Sequence, residues 1–196
     1  MGVANGATLN VNDTASLAAL SALTANGVAN FTTAAQTIAT LNGAGTLNLN
    51  NTSLTLGDGS FAGVIAGGGS LVKSALGTLA LSSSNTFGGG VNLSNGILQV
   101  GNDMALGSGG LTMSGGTLMS IGAQSRTLTN TLALSNAVVL GDVSNTGAFI
   151  FSGSVALAAD TTVATASAVI LNGAVNGAGG LTKAGLATLS LNGANT

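Results

Sequence analysis

The feature of this sequence that most constrains its fold is a long phrase that occurs twice. Residues 69–86 read GSLVKSALGTLALSSSNT and residues 179–196 read GGLTKAGLATLSLNGANT, and the two align without a gap. Such long-range repetition is typical of repeat proteins, in which each unit buries its apolar face by stacking on its neighbours. Because the first copy is followed by more sequence and the second is not, we expect the chain to be a piece of a longer protein. Nine positions are identical: Gly69/Gly179, Leu71/Leu181, Lys73/Lys183, Leu76/Leu186, Thr78/Thr188, Leu79/Leu189, Leu81/Leu191, Asn85/Asn195 and Thr86/Thr196.

The composition indicates a folded chain with a nearly uncharged surface. Of 196 residues, 32 are Gly, 45% are apolar and 4% are charged, whereas disordered chains are rich in charge and poor in apolar residues. The surface must therefore consist of Ser, Thr, Asn and Gly. With a net charge of −2 and three scattered cations (Lys73, Arg126 and Lys183), the chain cannot neutralise a run of phosphates, so we expect no nucleic-acid partner.

Short alternating runs of apolar residues predict β-strands. Alternation over four or five residues is typical of a half-buried strand, and residues two apart then share a face. We therefore expect Leu79 and Leu81 to point into the core, and Leu189 and Leu191 likewise. Seven Asn-Gly steps lie between the runs and suit turns, because both residues tolerate a positive φ. The runs are residues 46–49, 53–56, 78–81, 97–100, 131–134, 137–140 and 188–191.

Two all-β architectures fit such a pattern, a sandwich or barrel of hairpins and a β-solenoid. Very short runs, only five Phe as aromatic residues and the recurring phrase favour the solenoid. At roughly 20–25 residues per turn, the chain would form about eight to ten turns of a single solenoid. Residues 14–26 leave an alternative open, since Leu17, Leu20 and Leu23 could lie on a short helix after Asp13 or on further strands. We expect residues 1–40 to be less regular and to serve as a possible cap.

Residues 41–119 resemble the passenger-associated transport repeat, also called the autotransporter-associated β-strand repeat. The resemblance rests on LNGAGTL at 41–47, LTLG at 54–57, FAGVIAG at 61–67, the phrase at 69–86, FGGG at 87–90, NGILQVGN at 95–102 and ALGSG at 105–109. A second copy begins at residue 175 and continues to 196, and residues 120–174 would form connecting turns. The resemblance implies a right-handed parallel β-helix in the passenger of a type V secreted protein of a Gram-negative bacterium. It also implies a cell-surface location, with the signal peptide and outer-membrane translocator barrel outside this chain.

The residues that could carry catalysis are few. Without His, Cys or Glu, neither a Ser-His-Asp nor a Cys-His arrangement is available. Asp58, Asp103 and Asp142 each follow a short apolar run, so we expect them at strand ends, bonding the backbone of their own turn. Asp58 also lies in a single, unrepeated match to a calcium-binding repeat, and too few carboxylates lie nearby to form a site. We expect Lys73 and Lys183 to be solvated ammonium groups over apolar stems.

These observations predict a non-catalytic stalk in an adhesin-like surface protein, without catalytic, cofactor-binding or metal-binding residues. Its partners would be neighbouring repeats or copies of itself, with host-surface molecules or glycans as further candidates. No run is long enough for a membrane span, so we expect no membrane insertion by this segment. The first alternative is a subunit of an extracellular filament assembled by end-to-end stacking, because open solenoid ends invite strand pairing. A β-helical polysaccharide-active enzyme is the second alternative and is disfavoured by the missing catalytic residues.

Overall fold

The computed structural model describes residues 1–13, 20–144 and 146–196, with the backbone alone at Leu20. The described residues form 22 strands and no helix. The strands are β1 (Gly2–Val3), β2 (Thr8–Val11), β3 (Leu20–Ala25), β4 (Val28–Phe31), β5 (Ala35–Gly43), β6 (Thr46–Asn48), β7 (Ser53–Phe61), β8 (Val64–Ala66), β9 (Ser70–Lys73), β10 (Thr78–Leu81), β11 (Val91–Leu93), β12 (Ile97–Val100), β13 (Leu111–Met113), β14 (Thr117–Ser120), β15 (Arg126–Leu128), β16 (Leu132–Leu140), β17 (Phe149–Phe151), β18 (Val155–Thr165), β19 (Val169–Leu171), β20 (Val175–Gly177), β21 (Leu181–Ala184) and β22 (Leu189–Leu191).

Parallel pairing arranges these strands into three faces around one axis. The first face contains β9, β11, β13 and β20 with the N-terminal halves of β5, β7, β16 and β18. The second face contains β1, β3, β10, β12, β14 and β21 with the C-terminal halves of those four long strands. The third face consists of two four-stranded sheets, β2-β4-β6-β8 and β15-β17-β19-β22. Long strands bend from the first face to the second, which joins the two in one 14-stranded sheet.

The register shows that turns differ in length. The length of one solenoid turn is the number of residues between register partners. It is smaller between Thr24 and Asn42 than between Val139 and Ala164. The longer turn contains a register shift after Leu134, where β18 has two more residues than β16. The described strands stack as about nine turns, which confirms the β-solenoid and the all-β class.

The core is a continuous column of inward side chains along the stack. Leu79 and Leu81 are fully buried, as their spacing predicts. All five Phe side chains are buried as well, and the rings of Phe149 and Phe151 stack with centroids 6.1 Å apart. Small and branched apolar residues fill the remaining positions, because the inward positions of successive turns lie directly above one another at about 4.8 Å.

The N-terminal region follows the same strand pattern. The helical alternative for residues 14–26 is wrong for residues 20–25, which form strand β3, and residues 14–19 lie outside the described residues. Leu23 and Ala25 are two apart, are both buried and lie on a strand that pairs with β5. Strand β3 has a paired strand on each side, β1 and β5, which provides partners for its backbone N–H and C=O groups. Strands β1 to β4 pair in parallel register with their neighbours.

Candidate functional site

The three aspartates considered from the sequence have different environments. Asp58 lies within β7 rather than at a strand end, and its Oδ1 accepts a hydrogen bond of 2.6 Å from the Thr40 hydroxyl of the preceding turn. The prediction that Asp58 bonds its own turn is therefore wrong, because β7 continues through the corner between the first and second faces. The Asp58 carboxylate instead ties two stacked turns together.

Asp103 and Asp142 both bond backbone N–H groups, over different distances along the chain. The Asp142 Oδ1 accepts from the Ser144 N–H at 3.1 Å, the local turn bond that its position predicts. The Asp103 Oδ1 instead accepts from the Thr127 N–H at 3.2 Å, one turn further along the solenoid, so the prediction that Asp103 bonds its own turn is wrong. No group of three or more metal-ligating side chains occurs among residues 1–13, 20–144 and 146–196.

Lys73 is the charged residue whose position differs most from expectation. It is 1% exposed, so the prediction of a solvated head is wrong. Lys73 pairs with Leu56 in the preceding turn and with Leu93 in the following turn, and both leucines are buried. A side chain in this register points inward, like its neighbours above and below.

The amino group of Lys73 is accommodated at the corner between the first and second faces. Its Nζ donates to the carbonyl oxygen of Ala75 and, at 3.4 Å, to that of Asn95 in the next turn. Gly96 leaves the necessary space, since a Cβ at that position would lie 2.4 Å from the Lys73 Nζ. Burial lowers the pKa of Lys73, and the negative charge of Asp58 partly opposes that change.

The two copies of the repeated phrase lie on different faces of the solenoid. In the first copy, Leu71 is on the first face, and its pairing partners lead turn by turn to Val175. Leu181, its counterpart in the sequence, is instead on the second face, paired with Thr161. The second copy is thus rotated by one face, one of the three around the axis, relative to the first.

The Asn-Thr pair that ends each copy makes the same hydrogen bonds to the preceding turn despite this rotation. The Asn85 Oδ1 accepts from the Ile65 N–H at 2.8 Å, and the Thr86 N–H donates to the Ile65 carbonyl at 2.9 Å. In the second copy, the Asn195 Oδ1 accepts from the Val175 N–H at 2.9 Å, and the Thr196 N–H donates to the Val175 carbonyl at 3.1 Å. The phrase therefore specifies a strand-corner-strand unit that can start on more than one face.

Both lysines also reach the carbonyl group two residues ahead. Lys183 Nζ donates to the Gly185 carbonyl at 2.9 Å, as Lys73 Nζ donates to that of Ala75. The corners themselves differ, since Gly185 has a φ of 77° and Ala75 is not in the left-handed region. Glycine is the residue that adopts this conformation without steric cost.

The two copies differ most in burial. Leu79, Leu81, Lys73 and Asn85 of the first copy are at most 1% exposed, because turns lie on both sides of them. Leu191 of the second copy is 43% exposed, and Lys183 and Asn195 are exposed too. Leu189 and Leu191 pair with buried Val169 and Leu171, so they point inward as predicted. Their exposure results from the open face of the last turn.

Among residues 20–144 and 146–196, the outer surface includes two shallow grooves. One, of about 270 Å³, is almost wholly apolar and lies between the loop after β16 and the corner after β21. Its walls include Val143 and Leu186, which are 78% and 106% exposed. The other, of about 220 Å³, lies on the first face against Ser70, Asn92 and Thr112. Neither groove is lined by a titratable side chain, so neither offers an acid-base pair.

Asparagine side chains form ladders on the outer surface of the third face. The Asn30 Nδ2 donates to Asn10 Oδ1 at 2.8 Å, and the Asn48 Nδ2 donates to Asn30 Oδ1 at 2.7 Å. At the other end, the Asn192 Nδ2 donates to Asn172 Oδ1 at 2.9 Å. Stacked amides of this kind connect successive turns without charge.

Sequence reasoning missed the two buried polar residues of the first copy, Lys73 and Asn85. A signal for Lys73 is present, because it is two residues from the buried Leu71 and therefore shares its side of the strand. The role of Asn85 depends on groups 20 residues away on each side, Ile65 and Ala105, which a single phrase does not reveal.

Comparisons with known proteins show similarity over part of the chain. No family model matches the chain, and no solved structure matches it. The described residues contain no helix with the length and apolarity to cross a membrane. Part of the chain is similar to the adhesin BmaC autotransporter of Brucella suis biovar 1 (strain 1330), with 35% identity over 72 residues. That match covers 37% of this chain and 2% of the adhesin, so the similarity is to a small segment of an autotransporter adhesin.

Proposed function

We propose that this chain is a non-catalytic structural stalk within an adhesin-like surface protein of a Gram-negative bacterium. The observation that carries the proposal is the single apolar core, which continues through the stack from Val3 to Val175. A column of this kind gives length and stiffness along one axis, because each turn contacts mainly its two neighbours. In this proposal the stalk projects a distal head away from the outer membrane and presents a repetitive polar surface.

The similarity to an autotransporter adhesin supports the proposed location. A solenoid without cysteine also suits export as an unfolded chain, since no disulfide can form before the chain has crossed the membrane. Folding outside the cell would then favour outward movement, because each added turn buries apolar area worth about 25 cal/mol per Å².

The surface chemistry of the described residues supports a structural role over an enzymatic one. Asp58 and Asp103 bond groups on neighbouring turns, and Asp142 bonds its own turn. A β-helical polysaccharide-active enzyme would need a cluster of carboxylates and cations on one face. An assay for oligosaccharide cleavage tests that alternative directly, and cleavage by the purified chain would overturn the proposal.

A distance measurement between the ends tests the mechanical role. Because the chain has no native Cys, Asn5→Cys and Ala194→Cys would place two dyes specifically on exposed turn residues of the first and last turns. Single-molecule energy transfer should give one narrow distance distribution near about 45 Å, from about nine turns at about 4.8 Å. A broad or strongly shortened distribution under native conditions would overturn the rigid stalk.

Deletion of one turn provides the matched control. Removing residues 91–110 joins Gly90 to Leu111, which is the register partner of Val91. The remaining turns should restack, and the distance should fall by about 5 Å, one strand spacing. Removing residues 91–100 alone deletes half a turn, so it should disrupt the stack instead.

A further inference from the structure

The Asn95–Gly96 step folds the asparagine side chain back over its own peptide group. The Asn95 Oδ1 accepts a hydrogen bond of 2.8 Å from the Gly96 N–H, so the side-chain amide lies against the following residue. Gly96 has a φ of 70°, which glycine adopts without steric cost, and Asn95 is exposed to water. This arrangement brings the Gly96 nitrogen close to Cγ of Asn95, as a reaction between the two atoms requires.

An asparagine in this geometry can react with its own backbone. The Gly96 nitrogen, once it has lost its proton to water or hydroxide, attacks Cγ of Asn95, so that the N–Cγ bond forms and the Cγ–Nδ2 bond breaks. Nδ2 takes up a proton and leaves as ammonia, and a succinimide ring remains. Water then opens the ring at Cγ, which gives aspartate, or at the main-chain carbonyl carbon, which gives isoaspartate. The reaction consumes water and needs no oxidant or reductant.

Lys73 lies where the first step of this reaction needs a positive charge. Its Nζ donates at 3.4 Å to the Asn95 carbonyl oxygen, which belongs to the same peptide group as the Gly96 nitrogen. When that nitrogen loses its proton, resonance places much of the negative charge on this oxygen. A fixed donor aimed at developing charge stabilises the ionised form, and more so where water is excluded, as it is around the buried Lys73.

We propose that Asn95 is a self-modification site, at which Lys73 assists the conversion of the asparagine to isoaspartate. Lys73 polarises the Asn95 carbonyl group, which favours deprotonation of the Gly96 nitrogen and, after ring closure, attack of water at the main-chain carbonyl carbon. Ring opening at that carbon gives isoaspartate, in which the former Asn95 carbonyl group is a free carboxylate. The reaction therefore gives Lys73 an ion-pair partner in the next turn of the solenoid.

Two other Asn-Gly steps hold their side chains in a different way. The Asn42 Oδ1 accepts from the Ser60 N–H at 3.0 Å, and the Asn26 Oδ1 accepts from the Ala44 N–H at 3.3 Å. Each of these side chains reaches to the next turn of the solenoid rather than back over its own glycine. The solenoid therefore prepares Asn95 for the reaction and restrains the other two asparagines, although the dipeptide is the same.

Peptide mapping after incubation at neutral pH measures the reaction at every Asn-Gly step of the folded chain. Trypsin cleaves after Lys73 and Arg126 and releases residues 74–126, in which Asn95 is the one Asn followed by Gly. Fragmentation by electron transfer then distinguishes isoaspartate from aspartate. Asn95 should convert about tenfold faster than Asn42, because one well-placed opposite charge changes an ionisation equilibrium by at least about that factor. Isoaspartate should be the main product at Asn95.

Two lysine variants show whether Lys73 takes part. Lys73→Met removes the donor to the Asn95 carbonyl group, so conversion of Asn95 should slow by about tenfold and the share of isoaspartate should fall. The rate at Asn42 in the same chain is the internal control and should not change, whereas general loosening of the fold would raise the rates at both sites. Lys183→Met is the matched variant, because Lys183 also bonds carbonyl groups at a corner but lies in the second copy. It should leave both rates unchanged.

Conversion in concentrated urea provides a test that does not depend on how any variant folds. In the unfolded chain Asn95 and Asn42 are ordinary Asn-Gly steps and should convert at similar rates. Folding should therefore speed conversion at Asn95 and slow it at Asn42. The proposal is overturned if folded Asn95 converts no faster than folded Asn42 or than unfolded Asn95, or if Lys73→Met leaves its rate unchanged. Each of these results would leave the stalk proposal intact, so the two proposals fail separately.

Discussion

The two copies of the repeated phrase differ in their surroundings far more than in their sequence. Residues 69–86 lie between two turns, whereas residues 179–196 form the last turn of the stack. Both copies form two strands around a corner, and both use an Asn side chain to bond the residue 20 positions earlier. A side chain that is almost fully buried in one copy is exposed in the other, as Lys73 and Lys183 show.

This difference separates local from stacking contributions to the fold. Hydrogen bonds that occur in both copies, such as those of Asn85 and Asn195 to the preceding turn, need one neighbouring turn. Burial of the leucines and of the lysine amine needs a second turn on the other side. In a solenoid, stability is approximately a sum of unit and neighbour terms, so matched substitutions in the two copies measure the neighbour term directly.

The largest difference is expected for a charge in the core. Leu79→Asp buries a carboxylate without a partner and should lower the free energy of unfolding by about 3–5 kcal/mol. Leu189→Asp, at the half-exposed equivalent position, should cost about 1 kcal/mol because water reaches the carboxylate. Urea unfolding followed by circular dichroism measures both. Similar losses in the two variants would show that stacking on the second side contributes little.

A smaller difference is expected for the buried asparagine. Asn85→Ala removes the acceptor of the Ile65 N–H and the donor to the Ala105 carbonyl, both of them buried bonds. Leaving both backbone groups unpaired should cost about 2–4 kcal/mol. Asn195→Ala removes the acceptor of the Val175 N–H at the open edge and should cost less than about 1 kcal/mol. Equal losses would indicate that the bond to Ala105 contributes nothing.

Alternation in the sequence is enough to predict the class of fold and the direction of the core leucines. Leu79 and Leu81 are inward because period two fixes the face of every residue in a strand once one is assigned. The same rule applied to Leu71 and Lys73 predicts an inward lysine. The general preference of charged groups for water instead predicts an outward, solvated lysine. The space that allows the amine to be buried is provided by Gly96, which lies in the next turn of the solenoid rather than in the same strand.

The position of each phrase around the axis could not be predicted from its spacing. The sequence counterpart of Leu71 is Leu181, but the register partners of Leu71 lead to Val175 instead. Val175 lies 104 residues and five whole turns after Leu71, whereas Leu181 lies 110 residues after Leu71, so the offset between the phrases is not a whole number of turns. The six additional residues carry the second copy on to the next face, so a repeat in sequence need not be a repeat in phase.

The pH dependence of stability should distinguish the two lysines. Burial lowers the pKa of Lys73 below its ordinary value of 10.5, so between those two values the unfolded chain binds more protons than the folded chain. The free energy of unfolding should therefore rise with pH across that interval. The chain has no Tyr, Cys or His, which leaves few other groups that titrate in this range.

Matched methionine variants measure this effect. Lys73→Met should lose the alkaline rise in the free energy of unfolding, because the group whose pKa changes on folding is gone. Lys183→Met retains Lys73 and should keep the rise. Urea unfolding at a series of pH values gives both curves, and an unchanged rise in Lys73→Met would show that the buried amine is not its source.

The smallest difference in the free energy of unfolding is expected at Leu76 and Leu186, the leucines in the corners of the two copies. Their environments do not depend on a second neighbouring turn. Leu76 is 79% exposed and Leu186 is 106% exposed, although the first lies in the covered copy and the second in the open one. Leu76→Ser and Leu186→Ser should each change the free energy of unfolding by less than about 0.5 kcal/mol, as is usual for exposed positions. Leu186 also lines the apolar groove beside Val143, whereas Leu76 does not line that groove. A loss above about 1 kcal/mol for Leu186→Ser alone would mean that this groove closes over Leu186 in solution, and the two corners would then differ in packing as well as in burial.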